Sequence, residues 1–168
     1  LELPSAAGDP PPASADADEG ARVAIVPSGP DQEANASGLS YFAAIALSQK
    51  RCFVTSPYFV PDEPTLRALA SAALRGVDVR VLVPAQNDSR LLEFAVRSYY
   101  PRLLALGVRI FEYLPAMLHA KTLAVDGEWS IVGSANVDIR SFRLNFELGA
   151  VVHGEQFASK LEAQFEAD

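Results

Sequence analysis

His119 and Lys121 stand two residues apart, and Asp126, Gly133, Ser134, Asn136 and Glu147 follow shortly after them. On an extended segment alternate side chains share a face, so the imidazole and the ammonium point the same way. An imidazole can attack phosphorus or hand a proton to a leaving oxygen, and it does so near neutral pH. An ammonium stabilises negative charge on phosphoryl oxygens. The hydroxyl of Ser134 and the carboxamide of Asn136 donate hydrogen bonds to the same kind of oxygen. Glu147 is the natural group to fix the His119 tautomer. This set calls for no metal and no cofactor, and it lacks the carboxylate cluster that would hold an ion. The single Cys52 excludes a disulfide framework and a cysteine-based zinc site.

The elements around these residues must deliver them to one place. Asp126-Gly127 is a strong turn dipeptide, so His119–Val125 and Trp129–Ser134 read as the arms of a hairpin. A two-residue turn sets His119 opposite Ser134; another turn type shifts the register by a residue or so. Before the hairpin, strands and helices alternate. Residues 22–26, 51–56, 78–83 and 108–113 read as strands, each closed by Pro or Gly or leading into a loop. Helical spacing marks residues 38–50, the segment between Asp62 and Gly76, and 88–106 with a break near Pro101. Residues 146–152 form a last strand, and Phe157, Leu161 and Phe165 put one apolar stripe on a terminal helix. The expected fold class is α/β, a mixed and mostly parallel sheet with helices on both faces.

The chain has 168 residues, enough for one domain with a real core, and 49% of them are apolar. No apolar run is long enough for a membrane span, and no secretory leader is visible. Residues 1–21 are low in complexity, with Pro10-Pro11-Pro12 and five acids but no Lys or Arg, and read as a flexible linker. All 14 basic residues and 16 of the 21 acidic ones lie beyond it, so the remainder carries −2 of the total −7. A nearly neutral body argues against a dedicated nucleic-acid binder. Residues 22–168 are expected to form the functional domain.

The run His119-x-Lys121-x4-Asp126-x6-Gly133-Ser134-x-Asn136 resembles the HKD motif of the phospholipase D superfamily at every named position. The flanks Ser56-Pro57-Tyr58-Phe59-Val60-Pro61-Asp62-Glu63, Arg75-Gly76-Val77-Asp78-Val79-Arg80 and Arg140-Ser141-Phe142-Arg143-Leu144-Asn145-Phe146-Glu147 are similar to the C-terminal half of bacterial cardiolipin synthases. The resemblance implies two HKD motifs meeting at a pseudo-two-fold axis, with one histidine forming a covalent phosphohistidine and the other moving protons. It implies that His119 is the nucleophile or its acid–base partner. Lys121 and Asn136 would hold the phosphate with Ser134 beside them, and Glu147 would orient His119. Asp126 and Gly133 would be structural. The implied reaction is phosphatidyl transfer between two phosphatidylglycerol molecules, releasing glycerol, at the cytoplasmic face of the bacterial membrane.

This chain carries one such motif, and its only other histidine is His153. The missing half is then either part of the same polypeptide or a homodimer mate. The opening residue Leu1 and the linker favour an excised, soluble second half. Two other readings stand beside this one: a phospholipase D or homodimeric nuclease using the same site, and a non-catalytic half used for assembly or membrane docking. Among the remaining residues, His153 reads as a solvated turn position and Cys52 as a small buried apolar group. Tyr58 and Phe59 fit a lipid entrance or the core equally well. Arg140 and Arg143 fit anionic head groups or plain surface solvation.

Overall fold

A computed structural model describes residues 20–32 and 35–168. Its elements run β1 (Arg22–Ser28), α1 (Ala36–Leu47), β2 (Arg51–Thr55), β3 (Phe59–Val60), α2 (Glu63–Leu74), β4 (Asp78–Pro84), α3 (Arg90–Ser98), α4 (Tyr100–Ala105), β5 (Arg109–Tyr113), β6 (Thr122–Val125), β7 (Trp129–Gly133), β8 (Val137–Asp138), α5 (Ile139–Arg143), β9 (Glu147–His153) and α6 (Glu155–Ala167). The expected linker, residues 1–21, lies outside the described residues apart from Gly20 and Ala21.

Local chemistry sets the helix ends. Asp62 accepts the Thr65 N–H and Pro64 sits in the first turn of α2, where its missing N–H costs nothing. Gly76 and Gly107 follow α2 and α4 with positive φ, the left-handed conformation that ends a helix without a Cβ clash. Residues 88–106 do not form one helix. The chain breaks at Tyr99, and Pro101 sits in the first turn of α4, where a helix tolerates proline.

Seven strands form one sheet in the order β1-β9-β7-β6-β2-β4-β5, and helices cover both faces. Cys52 and Val54 of β2 enter the main core with Tyr41 and Ile45 of α1 and Leu66 and Leu69 of α2. Phe53, between them in sequence, faces the other way and stacks on Phe165 of α6 at 4.9 Å. The terminal helix docks through Phe165, with Ala158 and Glu162 buried, while Phe157 of the expected stripe is exposed; the α/β class with a mixed, helix-flanked sheet is what the molecule adopts. The balance of strand directions differs from expectation. Within this sheet, among the described residues, only the β2–β4 and β4–β5 pairs are parallel, while β1–β9, β9–β7, β7–β6 and β6–β2 are antiparallel. The alternating pattern misleads for a topological reason. β1 does run in the direction of β2, as a helical crossover requires, but the β6–β7 hairpin and β9 are inserted between them.

Strand direction divides the chemistry between two ends. The C-terminal ends of β2, β4 and β7 and the N-terminal ends of β6 and β9 share one rim, and they carry Tyr58, Ser134, Asn136, His119 and Glu147. In open α/β sheets this is the rim where ligands bind. The β6–β7 turn lies at the opposite rim.

Candidate active site

His119 and Lys121 sit just before the first residue of β6 rather than within its ladder. The turn explains the difference. Asp126 and Gly127 both have positive φ, and the Glu128 N–H donates to the Val125 carbonyl, closing the expected tight turn. Glu128 then enters as one extra residue, so Val125 pairs with Trp129 and Thr122 with Val132. The register moves by one, and His119 is not placed opposite Ser134. One backbone bond still reaches across, from Gly133 N–H to the Lys121 carbonyl at 3.3 Å.

The imidazole and the ammonium converge. Lys121 Nζ lies 3.1 Å from Nδ1 and 3.5 Å from Nε2 of His119, and it donates to the His119 carbonyl at 2.9 Å. His119 is exposed, open to an incoming group. Burial pushes the Lys121 ammonium below the usual lysine range, and the Glu147 carboxylate holds part of that shift back. The Tyr58 and His119 rings stand nearly perpendicular, with centroids 6.4 Å apart. Tyr58 is in turn fixed by its hydroxyl, which donates to Asp88 at 2.8 Å.

Glu147 is engaged elsewhere than expected. Its carboxylate accepts a short hydrogen bond from the Ser134 hydroxyl and another from the Asn145 amide at 3.2 Å, and no hydrogen bond to His119 is formed among the described residues. Ser134 also ties the start of β9: its N–H donates to the Leu148 carbonyl and its hydroxyl accepts from the Leu148 N–H, both at 3.0 Å. Gly133 allows this approach. A Cβ there would lie 2.5 Å from the Leu148 carbonyl oxygen, closer than carbon and oxygen pack. Asn136 is held through its backbone, whose N–H donates to Ser141 Oγ at 3.1 Å, while its side-chain Oδ1 is buried and has no partner among the described residues.

Asp126 is at the far rim. Its carboxylate accepts the N–H groups of Gln49, Lys50 and Arg51 at 2.9, 2.7 and 2.9 Å, fastening the entry of β2 to the hairpin turn. His153 is not a turn residue: it ends β9, pairs with Trp129 and Arg22, and packs its ring 4.5 Å from the Trp129 ring.

Several supporting groups escaped the sequence reading. β3 and β8 pair in parallel beside the site, setting Phe59 against Val137. Ser56, fully buried, accepts the Val137 N–H and donates to the Tyr58 carbonyl, so one hydroxyl joins the two loops. Asp138 caps α5 through the Ser141 N–H. The Asp138-x-x-Ser141 spacing was a legible cap signal; two-residue strands carry no period to read. A cavity of about 500 Å³ opens beside the motif, walled by Tyr58, Asp88, Ser89, Asn136, Arg140 and Asn145 among others.

The family profile described as "Cardiolipin synthase, PLD-like domain" matches residues 41–168. The chain belongs to that family. It is similar to a cardiolipin synthase of Geobacillus sp. (strain WCH70), 46% identical over 146 residues that make up 87% of this chain and 29% of the relative. Cardiolipin synthase A of Pseudomonas aeruginosa (strain LESB58) is 45% identical over 150 residues, 89% of this chain and 31% of that protein. The chain therefore spans under a third of the length of these relatives. Among solved structures, the phospholipase D family member Nuc from Salmonella typhimurium superposes with a TM-score of 0.74 at 18% identity, covering 88% of this chain and 93% of Nuc. That likeness speaks for the fold. The cardiolipin synthase family is one of phospholipase D-like transferases.

Proposed function

We propose that this chain supplies one of the two HKD half-sites of a cardiolipin synthase-type phosphatidyltransferase, acting through a covalent phosphohistidine. The convergence of His119 and Lys121, in a chain belonging to this family, carries the reading. In the first step an imidazole nitrogen attacks the phosphorus of phosphatidylglycerol. A P–N bond forms, the P–O bond to glycerol breaks, and the imidazolium of the second half-site gives its proton to the departing oxygen. In the second step that imidazole takes the proton of an incoming hydroxyl. The new P–O bond forms as the P–N bond breaks, freeing the first histidine. His119 takes one of these two parts. Lys121 and the Asn136 amide meet the phosphoryl oxygens, and Ser134 and Glu147 hold the start of β9 against them.

Phosphoryl charge is met here by an ammonium and neutral donors, so the residues ask for no metal or cofactor. The substrate is an anionic phospholipid at the cytoplasmic face of the bacterial membrane; nucleic acid is not the substrate on this reading. No helix among the described residues is long and apolar enough to cross a bilayer. The other half-site comes from the same polypeptide. Coverage of 93% of the Nuc chain favours a second reading, in which two copies of a unit this size pair as a phospholipase D-like homodimer.

The test uses the complete gene product that carries this segment, given phosphatidylglycerol vesicles or supercoiled plasmid DNA. Cardiolipin and free glycerol should appear in equal amounts, and His119→Ala should lower the rate by at least about a thousandfold, the scale expected when a covalent catalyst is lost. DNA nicking that depends on His119, with no cardiolipin formed, would defeat the substrate assignment.

A further inference from the structure

A phosphodiester in a bilayer lies just outside the hydrocarbon, and its acyl chains hold it there, because every methylene lifted into water adds to the cost of leaving. The cavity beside the motif, about 500 Å³, is the size of a small-molecule site and does not house a whole two-chain lipid. On the transferase reading, the rim that carries His119 must therefore come to the lipid. One flank of that rim has the character such a contact needs.

β4 and β5 end side by side at Pro84 and Tyr113, on the flank away from β7 and β9. Leu114-Pro115-Ala116-Met117 follows β5 directly and leads within two residues to His119. This loop holds no charge, all four of its residues are exposed, and Leu114 is 80% exposed. After β4 comes α3, where Leu91 and Phe94, three apart and so on one side of the helix, are 82% and 73% exposed. Arg97 ties α3 to β5 through Glu112, and Tyr58 links the loop before α3, through Asp88, to the His119 ring. The apolar groups are thus tied to the imidazole through named contacts.

Charge does not account for this surface. Arg97 is paired with Glu93 and Glu112, and Arg90 is matched in number by Asp88, so the flank is not a basic patch drawn to anionic head groups. Leu47 and Leu74 are as exposed at the opposite rim, but a bilayer there would hold His119 away from the phosphodiesters. We propose that residues 114–117 and the Leu91–Phe94 side of α3 sink into the head-group boundary of a phospholipid bilayer and seat the motif on it. The contact is apolar rather than electrostatic. The inference rests on the transferase reading above and adds the surface and the force by which this chain reaches its substrate.

The experiment compares one reaction on two physical forms of the substrate. The complete gene product, kept soluble by an amphipol, is given long-chain phosphatidylglycerol in vesicles or dihexanoyl phosphatidylglycerol as dispersed monomers, and transfer is measured on each. Leu114→Ser/Met117→Ser and Leu91→Ser/Phe94→Ser should each lower the vesicle rate about tenfold and leave the monomer rate within about twofold of the parent, since only the vesicle demands docking. Leu114→Trp/Met117→Leu should keep the vesicle rate, because an interfacial aromatic replaces the lost leucine. Leu47→Ser/Leu74→Ser should change neither rate. The vesicle-to-monomer ratio should also move less than about twofold between about 0.1 and 0.5 M salt, because apolar contact is not screened. Equal falls on both forms would assign the patch to a protein neighbour, such as the second HKD half, and overturn the docking surface. An unchanged vesicle rate, or a steep loss of the ratio with salt, would overturn it too, and each of these results leaves the transferase reading standing. No transfer by the unsubstituted protein on either form would overturn both.

Discussion

At the scale of single residues, Lys121 carries a conflict between folding and chemistry. Burial disfavours its charged form, so it releases its proton at lower pH than a free lysine. On the proposed mechanism, the grip on phosphate needs the charged form. Activity should therefore fall on the alkaline side as pH rises through this lowered value, earlier than an ordinary lysine would allow. Folding has the opposite interest, because the cost of a partly buried ammonium is present below the folded-state value and fades as pH rises through it. Lys121→Met should abolish transfer yet melt no lower than the parent near neutral pH. Its advantage should shrink towards pH 10, as thermal melts across a pH series would show. A variant that melts far lower at neutral pH would mean that the bond from Nζ to the His119 carbonyl matters more than the desolvation. The pairing of His119 with Lys121 was legible in the sequence because two residues on extended chain share a face. The partner of Glu147 was not, because the Ser134 hydroxyl that binds it is brought there by the β7–β9 register, which no local pattern encodes.

At the scale of elements, the hairpin shows how far a turn rule reaches. Asp126-Gly127 correctly marked a turn with both φ values positive, but the extra Glu128 moved the register by one residue. Helices with caps were readable at their ends, as at Asp62. The two-residue strands β3 and β8 and the five-residue α5 were not, since their order comes from tertiary bonds through Ser56 and Ser141. Strand directions were half readable: alternation encodes crossovers, but not what is inserted between the connected strands. Asp126 gives this scale its test. Three backbone N–H groups from the β2 entry converge on its carboxylate. Asp126→Ala should lower unfolding free energy by about 2–3 kcal/mol, the scale for hydrogen bonds to a charged acceptor. Its kcat should stay near that of the parent, because about 20 Å of strand separates it from His119 at about 3.3 Å per residue. Denaturant melts with steady-state kinetics on one preparation would check both; a large loss of kcat with unchanged stability would move Asp126 into the chemistry.

At the scale of the whole molecule, the rim that carries the motif is also rich in uncovered apolar side chains. Leu144, Phe146 and Leu148 flank Asn145 and Glu147, and all three are more than half exposed. Exposed apolar groups set around a polar site are typical of a surface that another protein element covers. On the half-site proposal that element is the second HKD unit. This chain alone should then show no phosphatidyl transfer, and mixing it with the separately produced upstream half should restore activity that His119→Ala removes. Activity of the isolated chain that varies with the square of its concentration would instead point to pairing of two copies. On that proposal the motif, by its single occurrence in this sequence, calls for a partner. The surface proposed to receive it was not legible in the sequence, because it depends on the fold that leaves those three apolar residues exposed near Glu147.

The separation of the two rims has a consequence for adaptation. Asp126 fastens residues 49–51 at the entry of β2 to the hairpin turn, at the rim away from the motif. Descendants of this chain can be moved to hotter or colder habitats by exchanges at that end, while turnover and head-group preference are inherited untouched. A library randomised only there should yield a wide spread of melting temperatures among members that make the same products.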